Sequence, residues 1–242
     1  LKIIKPGIST SKIDSTCYEF INDNGAYSAP LFYRGFPKSC CTSANHIICH
    51  GIPGDKILNE GDIINVDVTA YKDGWHGDTS RMFYVGDVSI KAKKLVETTY
   101  KAMMKAIEIL NKNIHLGDIG STIQNYVERN GFSVVRDFCG HGIGKKFHKE
   151  PNILHYGEKG TGSKLKAGMI FTVEPMINEG AYQTKLLNDG WTAVTKDKKL
   201  SAQFEHTVGI TNDGYEIFTL SKKGLNFPPY KSWLIDILEK SL

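Results

Sequence analysis

The 242-residue chain has no disulfide or zinc-knuckle pattern: its five cysteines (Cys17, Cys40, Cys41, Cys49 and Cys139) are an odd number and none stands in a C-x-x-C pair. That argues against a disulfide framework and a structural zinc site, and favours a reducing compartment. Arginine is scarce as well. Only Arg34, Arg81, Arg129 and Arg136 accompany the lysines among 30 basic residues, which face 26 acids for a net charge of +4. Phosphate and base-edge recognition favours the bidentate guanidinium fork, so no nucleic-acid partner is expected. No apolar run approaches the ~18–20 residues of a membrane span, so no membrane partner is expected either. With 8 prolines, 40% hydrophobic and 23% charged residues, the composition argues for a globular fold and against collagen-like or disordered chains. The chain opens on Leu-Lys-Ile-Ile-Lys-Pro-Gly, without an initiating Met or a targeting segment, and is expected to be a fragment with its N-terminus upstream.

What the sequence does contain is a repeat. A helix is expected over 9–25, capped by Ser9 or Thr10, with Ile13, Cys17, Phe20 and Ile21 on one face and Asn24-Gly25 at its end. Shifted by 106 positions, Ile13, Asn24 and Gly25 fall on Ile119, Asn130 and Gly131, while Cys17, Phe20 and Ile21 fall on Ile123, Tyr126 and Val127. At a shift of 107, Leu58-Asn-Glu-Gly-Asp-Ile-Ile-Asn-Val-Asp67 lies over Leu165-Lys-Ala-Gly-Met-Ile-Phe-Thr-Val-Glu174. Two unrelated strands after a glycine would give part of this, but a fixed period favours a duplicated unit. One domain over 1–242 is expected, made of two similar halves, about 1–105 and 106–242, each a helix feeding antiparallel strands. A helix over about 90–111 joins them, its methionines reading as core filler. Lys196 to Lys199 reads as a solvated hairpin turn, and Gly157 to Gly168 as a surface loop.

The acids carry the chemistry. Two strands flank Asp73-Gly74, a hairpin signal, and index parity puts Asp67 and Asp78 on one face, opposite or one diagonal step apart. A solvent-facing pair is one reading. The other is a divalent cation between them, since Asp67 lies in the apolar run Ile63-Ile-Asn-Val-Asp-Val. Glu174 and Glu205 sit likewise in Ile-Phe-Thr-Val-Glu-Pro-Met and Ala-Gln-Phe-Glu-His-Thr-Val, with Phe204, His206 and Val208 expected on the face away from Glu205. Four carboxylates and one imidazole would make a mixed site for two divalent ions. His141, between glycines, is the candidate imidazole, though a lone glycine-flanked histidine does not separate ligand from scaffold. His50 and His148 each precede a proline by three positions, which suits paired hydrogen-bonding or proton-transfer roles. His76, His115 and His155 read as surface or structural, and His46 is left unassigned.

Phe36-Pro-Lys-Ser-Cys-Cys-Thr-Ser, Ile48-Cys-His-Gly-Ile-Pro53, Asn65-Val-Asp-Val-Thr, Trp75-His-Gly-Asp-Thr, Gly140-His-Gly-Ile-Gly, Phe147-His-Lys-Glu-Pro, Thr172-Val-Glu-Pro-Met and Gln203-Phe-Glu-His-Thr, in that order, resemble the motifs of type I methionine aminopeptidases. The resemblance implies the α/β (α+β) pita-bread fold, two pseudo-twofold-related halves of antiparallel strands covered by helices. It implies Asp67, Asp78, His141, Glu174 and Glu205 as ligands of two divalent ions (Co, Mn, Fe or Zn), with Asp78 and Glu205 bridging. By the same resemblance Glu174 shuttles the proton from an activated water to the leaving amine, His148 stabilises the tetrahedral oxyanion and His50 binds the scissile amide. Tyr33, Phe36, Cys41, Phe147 and Trp191 then form the methionine pocket, and Asn65, Val68 and Ser201 a monovalent-cation site. The 31 residues from Glu174 to Glu205 leave no room for the helical insert of type II enzymes. The Pro-Lys-Ser-Cys-Cys-Thr-Ser and Trp191-Thr-Ala-Val-Thr runs lean towards the eukaryote-like branch, without that branch's N-terminal zinc-binding extension. His46 and Arg34 depart from the pattern and alter the charge of the pocket rim. The implied function is a cytoplasmic monomer, an organellar form remaining open, that removes the initiator methionine from nascent polypeptide N-termini, with the ribosome a candidate partner. The alternatives are a prolidase or aminopeptidase P-like hydrolase and an inert pita-bread binding module.

Overall fold

The computed structural model describes residues 3–230; positions 1–2 and 231–242, the outer ends of the two expected halves, lie outside the described residues. Among the described residues three α-helices, α1 (Thr10–Asp23), α2 (Ile90–Glu108) and α3 (Leu116–Arg129), accompany fifteen strands. In chain order these are β1 (Tyr27–Ser28), β2 (Cys41–Ala44), β3 (Ile47–Cys49), β4 (Ile63–Lys72), β5 (Trp75–Tyr84), β6 (Ser133–Val134), β7 (Gly140–Gly142), β8 (Lys149–Ile153), β9 (Ile170–Val173), β10 (Met176–Asn178), β11 (Thr184–Leu186), β12 (Ala193–Thr195), β13 (Ser201–Gln203), β14 (His206–Ile210) and β15 (Tyr215–Ile217). In one sheet β4 pairs with β5 on one edge and with β2 and β1 in succession on the other. A five-stranded sheet runs β15-β14-β9-β7-β8, and two three-stranded sheets run β13-β10-β6 and β11-β12-β3. All paired strands are antiparallel. The fold is the pita bread.

The repeat read in the sequence recurs in the helices. α1 and α3 begin and end 106 residues apart, and each stops at an Asn-Gly pair. The asparagine amides turn back identically, Asn24 Nδ2 donating to Phe20 O and Asn130 Nδ2 to Tyr126 O, both at 2.8 Å. Gly25 and Gly131 follow at φ 67° and 81°, the left-handed geometry that glycine supplies at helix ends. Ser9 caps α1 by accepting from Lys12 N, and Ser89 caps α2 by accepting from Ala92 N. The packing of the two repeats differs. Tyr126 lies against the main core, whereas Phe20, expected on the buried stripe, is 69% exposed. Only a narrow stripe of α1, led by Ile13 and Ile21, is buried.

The main core lies between α2, α3 and the strands β9, β10, β13 and β14, with Leu95, Met103, Ile107, Ile123, Phe171 and Phe204 in full contact. Met103 is completely buried, as core filler. α3 carries Gly120 in its second turn, where helix propensity disfavours it. A Cβ there would stand 2.3 Å from Tyr156 O and 2.9 Å from Leu154 O, so the glycine lets the helix rest directly on the backbone before β9. Gly120→Ala should therefore destabilise despite alanine's better propensity, by about 3 kcal/mol, the upper end of overpacking costs. Urea unfolding of the variant beside wild type checks this, and a midpoint equal to or above wild type would contradict it.

The stretch from Lys196 to Lys199 is a turn, but it does not close a hairpin. β12 pairs with β11 and β3, while β13 pairs with β10, so the turn crosses between two sheets. Asp197 holds it by accepting from Ala181 N and Lys199 N. Gly157 to Gly168 forms a largely exposed loop between β8 and β9, as read.

Candidate metal centre and active site

β4 and β5 place the first two acids. Asp73 (φ 51°) and Gly74 (φ 86°) make the two-residue turn between them, with Lys72 opposite Trp75. In that register Asp67 faces Ser80 and Thr69 faces Asp78, so the two acids share a face one diagonal step apart. Thr69 Oγ1 donates to Asp78 Oδ1 at 2.8 Å. Asp78 N donates to Thr207 Oγ1 at 3.0 Å, and that hydroxyl donates to Asp78 O at 2.8 Å, tying β5 to β14.

The second half supplies the rest. Glu174 follows β9, with Thr172 Oγ1 donating to its Oε1 at 2.7 Å and Gln203 Nε2 to its Oε2 at 3.3 Å. His141 lies in β7, its backbone N–H on Thr172 Oγ1 at 2.9 Å. Its ring Nδ1 meets Gly142 O at 3.2 Å; a carbonyl only accepts, so Nδ1 carries the proton and Nε2 presents a lone pair. That Nε2 stands 3.8 Å from Asp78 Oδ2 and 3.7 Å from Glu174 Oε1. Asp78, His141 and Glu205 each offer a ligand atom within 4.8 Å of the others.

Glu205 arrives differently from its expected strand position. The chain leaves the ladder at Phe204 and Glu205, between β13 and β14, and Glu205 N donates to Ser80 O at 3.1 Å. Phe204 and Val208 nevertheless pack together in the main core while Glu205 lies buried beside Asp78, as expected of opposite faces.

The four acids are packed too closely to be charged together. Burial lifts Asp67 to about 7 and Glu174 to about 8, and Asp78 and Glu205 rise well above the usual carboxylate range through burial and mutual repulsion. Asp67 lies within hydrogen-bonding reach of Asp78, and Glu174 of Glu205. Asp67 Oδ1 is buried and has no partner among the described residues. An all-oxygen cluster with one imidazole lone pair suits divalent ions, and a cation would satisfy the orphaned oxygen and permit full ionisation.

These residues line one cavity of about 490 Å³ together with His50, His148, Tyr33, Phe36, Cys41, Phe147 and Trp191. Phe36 meets Trp191 edge-on at 5.2 Å, and Tyr33 meets Phe147 at 4.8 Å. Cys41 lies opposite Asp67 in the ladder, its thiol kept neutral by burial and the neighbouring acids. His148 lies tilted against His141, ring centres 4.1 Å apart, and its Nδ1 contacts Tyr33 Oη at 3.0 Å. His50 sits on the other wall, edge-on to Phe138 and Trp191. Burial drives the pKa of His148 down to about 3 and that of His50 below its ordinary value, so both rings are neutral at pH 7.

Four further side chains, which their spacing does not single out, also hold the site: Thr69, Thr172, Gln203 and His155. His155 is completely buried and accepts from Glu174 N through Nε2 at 3.2 Å. The only sequence signal for the threonines is their place two positions from Asp67 and from Glu174. Asn65 and Val68 point to opposite faces of β4, and Ser201 Oγ donates to Ile177 O, so these three side chains do not converge. Among them only Asn65 Oδ1, buried and unpartnered, offers a free acceptor.

Residues 1–212 match the sequence profile of metallopeptidase family M24. The methionine aminopeptidase of Rickettsia prowazekii (strain Madrid E) is 60% identical over 228 residues, 94% of this chain and 88% of that one. The crystal structure of a methionine aminopeptidase from R. prowazekii aligns with a TM-score of 0.89 over 90% of this chain and 88% of that chain. The Thermotoga maritima methionine aminopeptidase gives a TM-score of 0.89 at 40% identity, with 90% and 88% covered. These relatives are bacterial and lend no support to the eukaryote-like lean. A prolidase from Pyrococcus horikoshii, at 22% identity and a TM-score of 0.71, covers 91% of this chain and 56% of that one and shares the fold alone.

Proposed function

Because the chain belongs to metallopeptidase family M24, as one of its methionine aminopeptidases, we propose that Asp67, Asp78, His141, Glu174 and Glu205 hold two divalent ions, Co, Mn, Fe or Zn. The carrying observation is the grouping of Asp78, His141 and Glu205 ligand atoms within 4.8 Å, with Glu174 3.7 Å from the same imidazole nitrogen and an Asp67 oxygen left unpartnered among the described residues. Divalent ions held there supply Lewis acidity and lower the pKa of water. The residues do the rest. Glu174, oriented by Thr172 and Gln203, accepts a proton from the attacking water and returns it to the leaving amine. His148 and His50, both neutral, donate to the developing oxyanion and to the scissile amide from opposite walls. Phe36, Cys41, Trp191, Tyr33 and Phe147 receive the methionine thioether through sulfur–aromatic and apolar contact. The substrates are nascent polypeptide N-termini with a small second residue, met by a cytoplasmic monomer at or near the ribosome. A monovalent cation near Asn65, Val68 and Ser201 finds support only in Asn65 Oδ1.

The test is an assay on Met-Ala-Ser and on Xaa-Pro peptides, before and after chelation and addition of Mn²⁺, Co²⁺ or Fe²⁺. Activity on Met-Ala-Ser should vanish on chelation and return with metal, with Xaa-Pro cleavage at least about tenfold slower, the scale of one mismatched pocket contact. Rapid Xaa-Pro cleavage without methionine preference would overturn the reading in favour of a prolidase-like enzyme.

A further inference from the structure

The cavity rim carries a cation that the chemistry above does not use. Arg34 lines the cavity beside Tyr33 and His148, in a turn where Phe32, Arg34 and Gly35 all take left-handed backbone, at φ 65°, 49° and 89°. Non-glycine residues held in that region carry strain, which tends to gather at ligand-handling sites. The guanidinium carbon is 5.4 Å from the Tyr33 ring centre, Tyr33 is 5.2 Å from the His148 ring, and His148 is 4.1 Å from His141. About four residues of extended peptide, at ~3.5 Å each, cover that path.

Arg34 is also uncommitted. It forms none of the ion pairs found among the described residues. The two cavity-wall acids outside the metal centre are engaged elsewhere, Asp137 Oδ2 accepting from Thr184 Oγ1 and Glu150 Oε2 from Asn152 N. Lys149, the other cation lining the cavity, has its amine on the side of Gly144 and Trp75. A peptide leaving the scissile bond thus passes a guanidinium that lies over the Tyr33 ring and has no acidic partner among the described residues.

We infer that Arg34 is a specificity-determining residue favouring substrates with an acidic side chain at the third or fourth position after an N-terminal methionine. This rests on the methionine aminopeptidase reading and extends it to the downstream peptide. Solvent-exposed ion pairs of this kind give about a two- to fivefold preference, which salt screens.

The experiment uses the Mn²⁺-loaded protein with Met-Ala-Xaa-Ser and Met-Ala-Ser-Xaa peptides, Xaa being Glu, Gln or Lys, and reads the Glu-to-Lys ratio of kcat/KM within each variant. Wild type should show a ratio of about two to five at one of the two positions, falling towards one in 0.5 M KCl. Arg34→Lys should keep the ratio, Arg34→Gln should bring it to about one, and Arg34→Glu should invert it. A wild-type ratio at or below one at both positions, or an unchanged ratio in Arg34→Gln, would overturn the inference while leaving the aminopeptidase reading intact. Failure of the loaded protein to cleave any of these methionine peptides would overturn that reading, and the inference with it.

Discussion

Glu174→Gln should lower kcat on a Met-Ala-Ser peptide by about 10²- to 10⁴-fold while KM changes little, the range that a lost general base commands. The substitution is close to isosteric. Its carbonyl oxygen can still accept from Thr172 Oγ1, which now holds Glu174 Oε1 at 2.7 Å. The new amide nitrogen would take the place of Oε2 and face Gln203 Nε2, so one orienting contact becomes a meeting of donors. What disappears outright is the proton acceptor. Burial lifts Glu174 to about 8, so its oxygens bind a proton avidly when no cation competes, as a group that takes and returns one must. Thr172→Val separates orientation from chemistry: it keeps the carboxylate and removes the hydroxyl that links His141 N to Glu174, and should cost less than Glu174→Gln. Steady-state kinetics at saturating Mn²⁺, with metal content measured for each variant, decides between these outcomes. A Glu174→Gln enzyme with full metal and more than half of wild-type kcat would remove Glu174 from the proton transfer.

The sequence carried the parts of this site that follow from periodicity. Strand parity placed Asp67 and Asp78 on one face because alternation is unbroken from Trp75 to Asp78 and from Asp67 to Lys72, and the Asp73-Gly74 turn adds no extra residue. The 106-residue period located α3 from α1 to the residue, because helix length and Asn-Gly stop signals are local properties. Glu205 was legible as an acid facing away from Phe204 and Val208, but its place outside the strand was not. The chain breaks from the ladder there to reach Ser80 O, an interaction between halves that no local pattern encodes. The turn at Lys196 to Lys199 failed as a hairpin for the same reason, since the strands beside it are claimed by partners far away in sequence. Phe20 illustrates the converse. Its spacing suits a buried stripe, yet α1 has too little protein against it to cover that position. His155 was hidden because a buried histidine has no period, and only the fold brings it to Glu174 N.

The metal-free protein should lose stability as pH rises from 7.5 to 8.5, and divalent metal should reverse the sign. Asp67 and Glu174 have folded-state pKa values raised by burial to about 7 and about 8, against about 4 in the unfolded chain. Between those values the folded chain holds protons that the unfolded chain has released, so each such group makes unfolding easier by about 1.4 kcal/mol per pH unit as pH rises. Asp78 and Glu205, also raised, push in the same direction. Below about pH 7.5 buried histidines oppose them. His155 and His206 are driven down to about 3 and about 4, so the unfolded chain takes up protons there that the folded chain refuses, and their contribution is lost as pH falls. The clean window therefore opens at about 7.5, a unit above the ordinary histidine value, where the histidines are close to neutral in both states and the raised carboxyls decide the slope. Bound divalent ions take the place of the protons, and because protons then compete with metal, binding and the stability linked to it grow with pH. Urea unfolding at pH 7.5 and 8.5, with chelator or with excess Mn²⁺, should give a midpoint that falls with pH in the first case and rises in the second. Glu174→Gln should flatten the chelated slope by one group's share, since an amide has no proton to lose. Parallel slopes with and without metal would mean that the four acids are already ionised in the metal-free fold, and that their burial is relieved by something other than the ions assigned to them.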